Sequence, residues 1–210
     1  MTENDHLTKF SIINDSILKE DWTYEIKDGS SYLGCMLYDF DNDGIDEIVY
    51  RDEQNLIILS AVNNSPQIMA TLPCLSPTGA EYPIIGNIDG TEETKICIPC
   101  AESFYDLFGK LTLFGAPAGQ RWAPARNIWH QYAYNPLFIN DDGTVPQYMH
   151  NPATYKNGKY NNFKAQASIL DEDGNYAVAA ASLTGDISCT SYDAATGQYS
   201  VDFGVYNRQD

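Results

Sequence analysis

The stretch YDFDNDGIDEIVYR, residues 38–51, places five carboxylates within nine positions, Asp39, Asp41, Asp43, Asp46 and Glu47, and then runs straight into Ile48, Val49 and Tyr50. Like charges packed this closely repel one another unless a cation sits among them. The oxygen donors alternate: Asp39, Asp41 and Asp43 stand at positions 1, 3 and 5, followed by the carbonyl of Ile45 at 7 and the carboxylate of Glu47 at 9. Alternation points successive donors to the inside of a tight loop, and Gly44 at position 6 permits the sharp reversal such a loop needs. An all-oxygen set rich in carboxylates suits a hard cation of flexible coordination, Ca²⁺. Asp46, out of phase with the others, is expected to face solvent. An EF-hand is excluded, because Tyr50 stands where its closing glutamate belongs and the flanks read as strands.

Working outward, residues 36–61 (MLYDFDNDGIDEIVYRDEQNLIILSA) align with 84–100 (IIGNIDGTEETKICIPC) and 111–116 (LTLFGA). Asp39 falls on Asn87, Asp41 on Asp89, Ile48–Tyr50 on 96–98, and Leu56 onward on Leu111 onward. The repeating unit is strand, polar turn, strand, short turn, strand, at a spacing of about fifty residues, the size of a four-stranded propeller blade. QIMA (67–70) is a candidate outer strand for the first unit, and WTYEI (22–26) a candidate end of a preceding one. Two units do not close a ring and leave strand edges open. The second turn has lost the donor pattern: Thr91, Glu92 and Lys95 replace positions 5, 6 and 9, so an ammonium is expected to neutralise Asp89 internally, with no metal there.

DFDNDGIDEIV resembles the calcium loop of the FG-GAP/VCBS repeat, the blade unit of integrin-type propellers. The longer run through LPCLSPTGAEYPIIGNIDG is similar to propellers of large secreted Bacteroidota proteins. The resemblance implies an all-β fold, a partial β-propeller over 1–118 with blades at about 31–70 and 81–118, and Ca²⁺ held by Asp39, Asp41, Asp43, Ile45 and Glu47.

Composition agrees with a β-rich chain: 210 residues, 43% hydrophobic, with 15 Tyr, 15 Gly and 10 Pro punctuating short apolar runs. The net charge of −17 argues against nucleic acid, which requires clustered Lys and Arg. No stretch approaches the roughly 18 apolar residues of a membrane span. MTENDHLTKF lacks the apolar segment of a secretory leader; with the resemblance, this reads as a fragment of an exported protein. Five cysteines leave one over. Cys97 and Cys100 lack the second ligand pair of a zinc site, and a Cys74–Cys100 bridge is one candidate pairing whose connectivity spacing alone does not settle.

Residues 119–182 are dense in aromatics, from Trp122 and Trp129 to Tyr160 and Phe163, and are broken by Pro124, Pro136, Pro146 and Pro152. Without periodicity they read as an extended strap on the preceding blade, with a short helical turn near Asn127–Tyr132. The aromatics read chiefly as a core for this irregular segment, with a carbohydrate platform as the functional alternative. His130 and His150 have no metal-ligand spacing. WAPARNIWHQYAY…INDDGTVP…NNF is similar to segments that follow such propellers in gliding-motility-associated adhesin-like proteins. LDEDG (170–174) holds a second, shorter acidic turn, with Asp171 and Asp173. Apolar alternation at Tyr199, Val201, Phe203 and Val205 predicts a hairpin over 183–210; it resembles the opening of an Ig-like module of the CARDB type.

No nucleophile–base pair, phosphate loop or paired catalytic carboxylates emerge. The expectation is therefore a non-catalytic, calcium-binding propeller portion of a secreted or cell-surface adhesin-like protein, mediating adhesion or assembly. Its partners would be a protein or glycan ligand, together with further domains or chains completing the propeller. The alternative is a polysaccharide-binding or polysaccharide-lyase propeller, against which 12 basic residues facing 29 acidic ones weigh.

Overall fold

β-Branched and aromatic runs closed by Gly, Asn and Asp turns become eleven strands, with no α-helix among the described residues. The structure, a computed structural model, describes residues 5–29, 34–60, 65–76, 81–91, 93–105, 109–170, 183–193, 196 and 198–207. The chain divides into two compact units, Met1–Ser168 and Ile169–Asp210. Among the described residues, no helix is long and apolar enough to cross a membrane.

In the first unit, β1 (Asp5–Ile13) and β2 (Ile17–Ile26) form an antiparallel hairpin. Asn14 and Asp15 both take left-handed backbone at its tip, the turn that matches the twist of paired strands. WTYEI thus forms the end of a ten-residue strand, and its Trp22 and Ile26 are buried. A four-stranded antiparallel sheet follows in sequential order: β3 (Met36–Tyr38), β4 (Glu47–Arg51), β5 (Asn55–Ser60) and β6 (Gln67–Pro73). A three-stranded sheet repeats it as β7 (Ile84–Gly86), β8 (Lys95–Cys100) and β9 (Lys110–Phe114).

The two sheets share one register. Met36 faces Val49 and Tyr38 faces Glu47; Ile84 faces Cys97 and Gly86 faces Lys95. Arg51 opposes Leu56 just as Pro99 opposes Leu111. The equivalences read from the sequence are therefore equivalences of hydrogen-bonded position. Both faces of β4 and β5 are covered, which is why NLIILS reads as an unbroken apolar run. Met36, Val49, Leu56, Ile58, Leu59, Ile85, Ile96 and Ile98 form the core. Burying each such side chain stabilises the fold by roughly 1.5–3 kcal/mol.

Two features bolt the sheets together. Arg51, fully buried, donates to the Pro99 carbonyl (3.1 Å), Ser76 Oγ (2.6 Å) and Glu81 Oε2 (2.9 Å). A disulfide joins Cys74, just past β6, to Cys100, the last residue of β8.

Residues 119–168 add no ladder, only isolated bridges such as Leu37 with Ala165 and Ala125 with Ser168. The helical turn expected near Asn127–Tyr132 does not form. Its flanking backbone groups are engaged elsewhere: the Ile128 carbonyl accepts Gln166 Nε2, and the Arg126 N–H donates to Ala167. Short 3₁₀ turns occur instead at Pro136–Phe138 and Tyr155–Gly158. The first starts where Asn135 Oδ1 accepts the Leu137 N–H and Pro136 presets the backbone.

In the second unit β10 (Leu183–Asp193) pairs with β11 (Gln198–Asn207), so the hairpin expected from alternation is present. The acidic turn at Asp171 and Asp173 lies outside the described residues. The all-β expectation holds; among the described residues the sheets close into neither a barrel nor a ring.

Candidate metal centre

The link from β3 to β4 is the acidic loop, positioned by the Tyr38–Glu47 register pair. Asn42 and Gly44 supply the two left-handed conformations that fold it back on itself. The loop's amides then turn inward to its carboxylates. Asp39 Oδ1 accepts the Asp43 N–H (3.0 Å) and Oδ2 the Gly44 N–H (2.9 Å). Asp43 Oδ1 accepts the Ile45 N–H at 2.8 Å, and Asp41 Oδ1 the Asp43 N–H at 3.3 Å. These bonds are made within the loop and leave the carboxylates with unused lone pairs. Asp39, Asp41 and Asp43 each bring one carboxylate oxygen within 4.8 Å of the others. Asp46 is exposed as a residue, while desolvation of its carboxyl and the charge of Asp39 push it up to about 6.

Glu47 differs from the rest of the set. It is fully buried, and its Oε2 accepts the Phe40 N–H at 2.9 Å. Its Oε1, also buried, has no hydrogen-bond partner among the described residues. Burial pushes its carboxyl up to about 7, and the charges of Asp41, Asp39 and Asp43 push the same way. Burial likewise raises Asp39 above the usual carboxylate range, against the pull of the Gly44 and Asp43 amides. A buried carboxylate with one unpartnered oxygen, repelled by the charges of three aspartates, is an expensive arrangement without a cation. The donor set and the orphaned oxygen both fit a hard divalent ion. Of the predicted ligands the structure gathers Asp39, Asp41 and Asp43, which would hold it, while the Glu47 carboxylate lies outside that group of three; the ion would supply the positive charge the loop lacks.

The second loop resolves the same problem with its own cation. Lys95, in the register position of Glu47, lies 2.7 Å from Glu93 and 3.9 Å from Asp89. Asp89 accepts both the hydroxyl and the N–H of Thr91, and it is held below the usual carboxylate range by that hydroxyl first and by Lys95. Gly90 is left-handed at the place of Asn42, so the turn survives while the ligand set does not. Glu92 lies outside the described residues.

Strap residues wedge against both loops. Trp122 packs edge-on against Phe40 (centroids 4.7 Å), and the Ala123 N–H donates to the Phe40 carbonyl. The Ala123 carbonyl accepts Tyr38 Oη (2.6 Å) and Thr94 Oγ1 (2.5 Å). Gln166 ties Tyr134, Ile85 and Ile128 together through its side-chain amide.

Other polar residues were invisible to pattern reasoning. Lys164 is buried with its ammonium 3.5 Å from the Tyr132 ring centroid and near Tyr82 and Phe163. Arg126 threads the strap, reaching Asp141 (2.6 Å), Pro136 O (2.9 Å) and Ile139 O (2.8 Å). No spacing announces either residue. His150 stacks on Tyr155 at 4.0 Å, and His130 lies edge-on to Tyr134.

No family model matches the chain, and no curated protein does. Among solved structures it is similar to the V. cholerae biofilm matrix protein Bap1, with a TM-score of 0.60 and 24% identity over 72% of this chain. The match spans 25% of that protein's chain, and at this identity it is a likeness of fold.

Proposed function

We propose that this chain is a non-catalytic, calcium-binding portion of a β-propeller of the FG-GAP/VCBS kind, belonging to an exported adhesin-like protein. The observation that carries the reading is the acidic loop itself: three carboxylates within 4.8 Å, backed by the buried, unpartnered Glu47 Oε1. The repeat supports it from the other side, because the equivalent turn places Lys95 where Glu47 stands and keeps only Asp89 of the three ligands.

The propeller reading rests on the shared register of the two sheets and on their exposure. Leu56 and Ile58 are almost completely buried, whereas their equivalents Leu111 and Leu113 are 74% and 46% exposed. A further blade on that face, from another domain or another chain, would cover them. A disulfide suits an oxidising compartment. The biofilm matrix neighbour is in keeping with adhesion, toward a protein or glycan ligand at the cell surface.

Calcium held by the folded loop and absent from the unfolded chain stabilises by about 2.7 kcal/mol at 100 times its Kd. Titration calorimetry should give one Ca²⁺ site per chain. Chelator should lower the melting temperature, and Asp43→Ala should abolish both effects. Absence of binding heat at millimolar Ca²⁺, with a melt indifferent to chelator, would refute the reading.

A further inference from the structure

We propose that cation binding at the first loop is transmitted to the second repeat through strap residues 122–126, with Thr94 as the positioning residue that completes the connection. This rests on the calcium reading of the acidic loop and adds what the ion controls.

A continuous series of hydrogen bonds runs from the loop's buried carboxylate to the turn of the second repeat. The Phe40 N–H donates to Glu47 Oε2 at 2.9 Å. The Ala123 N–H donates to the Phe40 carbonyl at 2.8 Å. The Thr94 hydroxyl donates to the Ala123 carbonyl at 2.5 Å, and Thr94 Oγ1 accepts the Ala125 N–H at 2.8 Å. One residue on, the Arg126 carbonyl accepts the N–H of Asn87, the first position of the second turn, at 3.1 Å. Tyr38 also donates to the Ala123 carbonyl, so that single oxygen is held by hydroxyls from both repeats.

Thr94 occupies the position of the first loop's Asp46, but the two behave oppositely: Asp46 is exposed and Thr94 is buried. In the second repeat this position is occupied by a hydroxyl that bonds the strap at Ala123 and Ala125. Without a cation, the Glu47 carboxylate that anchors the series is half-satisfied and crowded by three other acids. A cation held by Asp39, Asp41 and Asp43 neutralises the charge that crowds Glu47, and so fixes that carboxylate and the Phe40 amide with it. Opening the strap would then require loss of the ion, so binding lowers the population of the open state by mass action.

Amide hydrogen exchange on the intact chain, with Ca²⁺ or chelator, tests this alongside calorimetry of the same samples. At 100 times the Kd, exchange at Ala123, Ala125 and Asn87 should slow by up to about 100-fold. Thr94→Val should keep the binding heat and the slowing at Ala123 but lose it at Ala125 and Asn87; Thr94→Ser, which retains the hydroxyl, should keep all three. Binding heat with unchanged exchange at these amides overturns the coupling while leaving the calcium site standing. Undiminished slowing at Asn87 in Thr94→Val also overturns it. No binding heat at all overturns the site and the coupling together. If Thr94→Val does not fold, Thr94→Ala is used instead, with the same expected loss of slowing at Ala125 and Asn87; slowing at those amides that is retained in Thr94→Ala overturns the coupling.

Discussion

Glu47 is where the electrostatics of this chain concentrate. Its neighbours in the loop are partly solvated, whereas its own carboxylate is fully buried with one oxygen unpartnered among the described residues. At pH 8, above the value of about 7 to which burial raises it, the group is charged and costs stability when no cation is bound. Glu47→Gln replaces that charge by an amide that still accepts the Phe40 N–H. In chelator at pH 8 the variant should therefore be as stable as the parent or up to about 2 kcal/mol more stable. In Ca²⁺ the order should reverse, because the variant lacks the Glu47 charge and gains less from the ion. Thermal melts of both proteins under both conditions check this, and a variant less stable in chelator would contradict it. Arg51 shows the complementary solution, a buried charge given Ser76, Glu81 and a backbone carbonyl as partners.

Between elements, the sheets are joined by different kinds of contact, of which the disulfide is the easiest to remove. Cys74 and Cys100 are 26 positions apart. Closing a loop of that length removes unfolded-state entropy worth about 3.5 kcal/mol in the chain-entropy treatment. Urea unfolding with and without reductant should differ by roughly that amount, and Cys74→Ser should behave like the reduced parent. A difference below about 1 kcal/mol would mean that Arg51 and apolar burial hold the sheets without the bridge. The strand assignments were largely legible from sequence, because a period of two and turn residues with left-handed backbone act over a few positions. The helical turn expected near Asn127 was not, because the Ile128 carbonyl that would close it accepts the side-chain amide of Gln166, some forty positions away.

The molecule as a whole carries a net charge of −17, and that field opposes folding and favours cation capture together. Raising salt from about 0.01 M to about 0.15 M shortens the screening length from about 30 to about 8 Å. The melting temperature in chelator should rise over that range, while the calcium affinity measured by calorimetry falls. A melting temperature that drops with salt would indicate that attractive ion pairs, such as Arg51 with Glu81, outweigh the general repulsion.

By itself the sequence determined the all-β class, the repeat and its register, the acidic turn, and the C-terminal hairpin. Each of these is written in local physics: alternation along a strand, donor spacing around a loop, and residues that tolerate left-handed backbone. Only the tertiary structure decided that Glu47 is buried with a free oxygen, that Lys164 sits among rings, and that Thr94 and Ala123 bridge the two loops. Those outcomes depend on which distant backbone carbonyls and side chains come to lie beside a residue once the sheets have packed. A Thr, Lys or Glu read along the chain carries no mark of the partner it will meet.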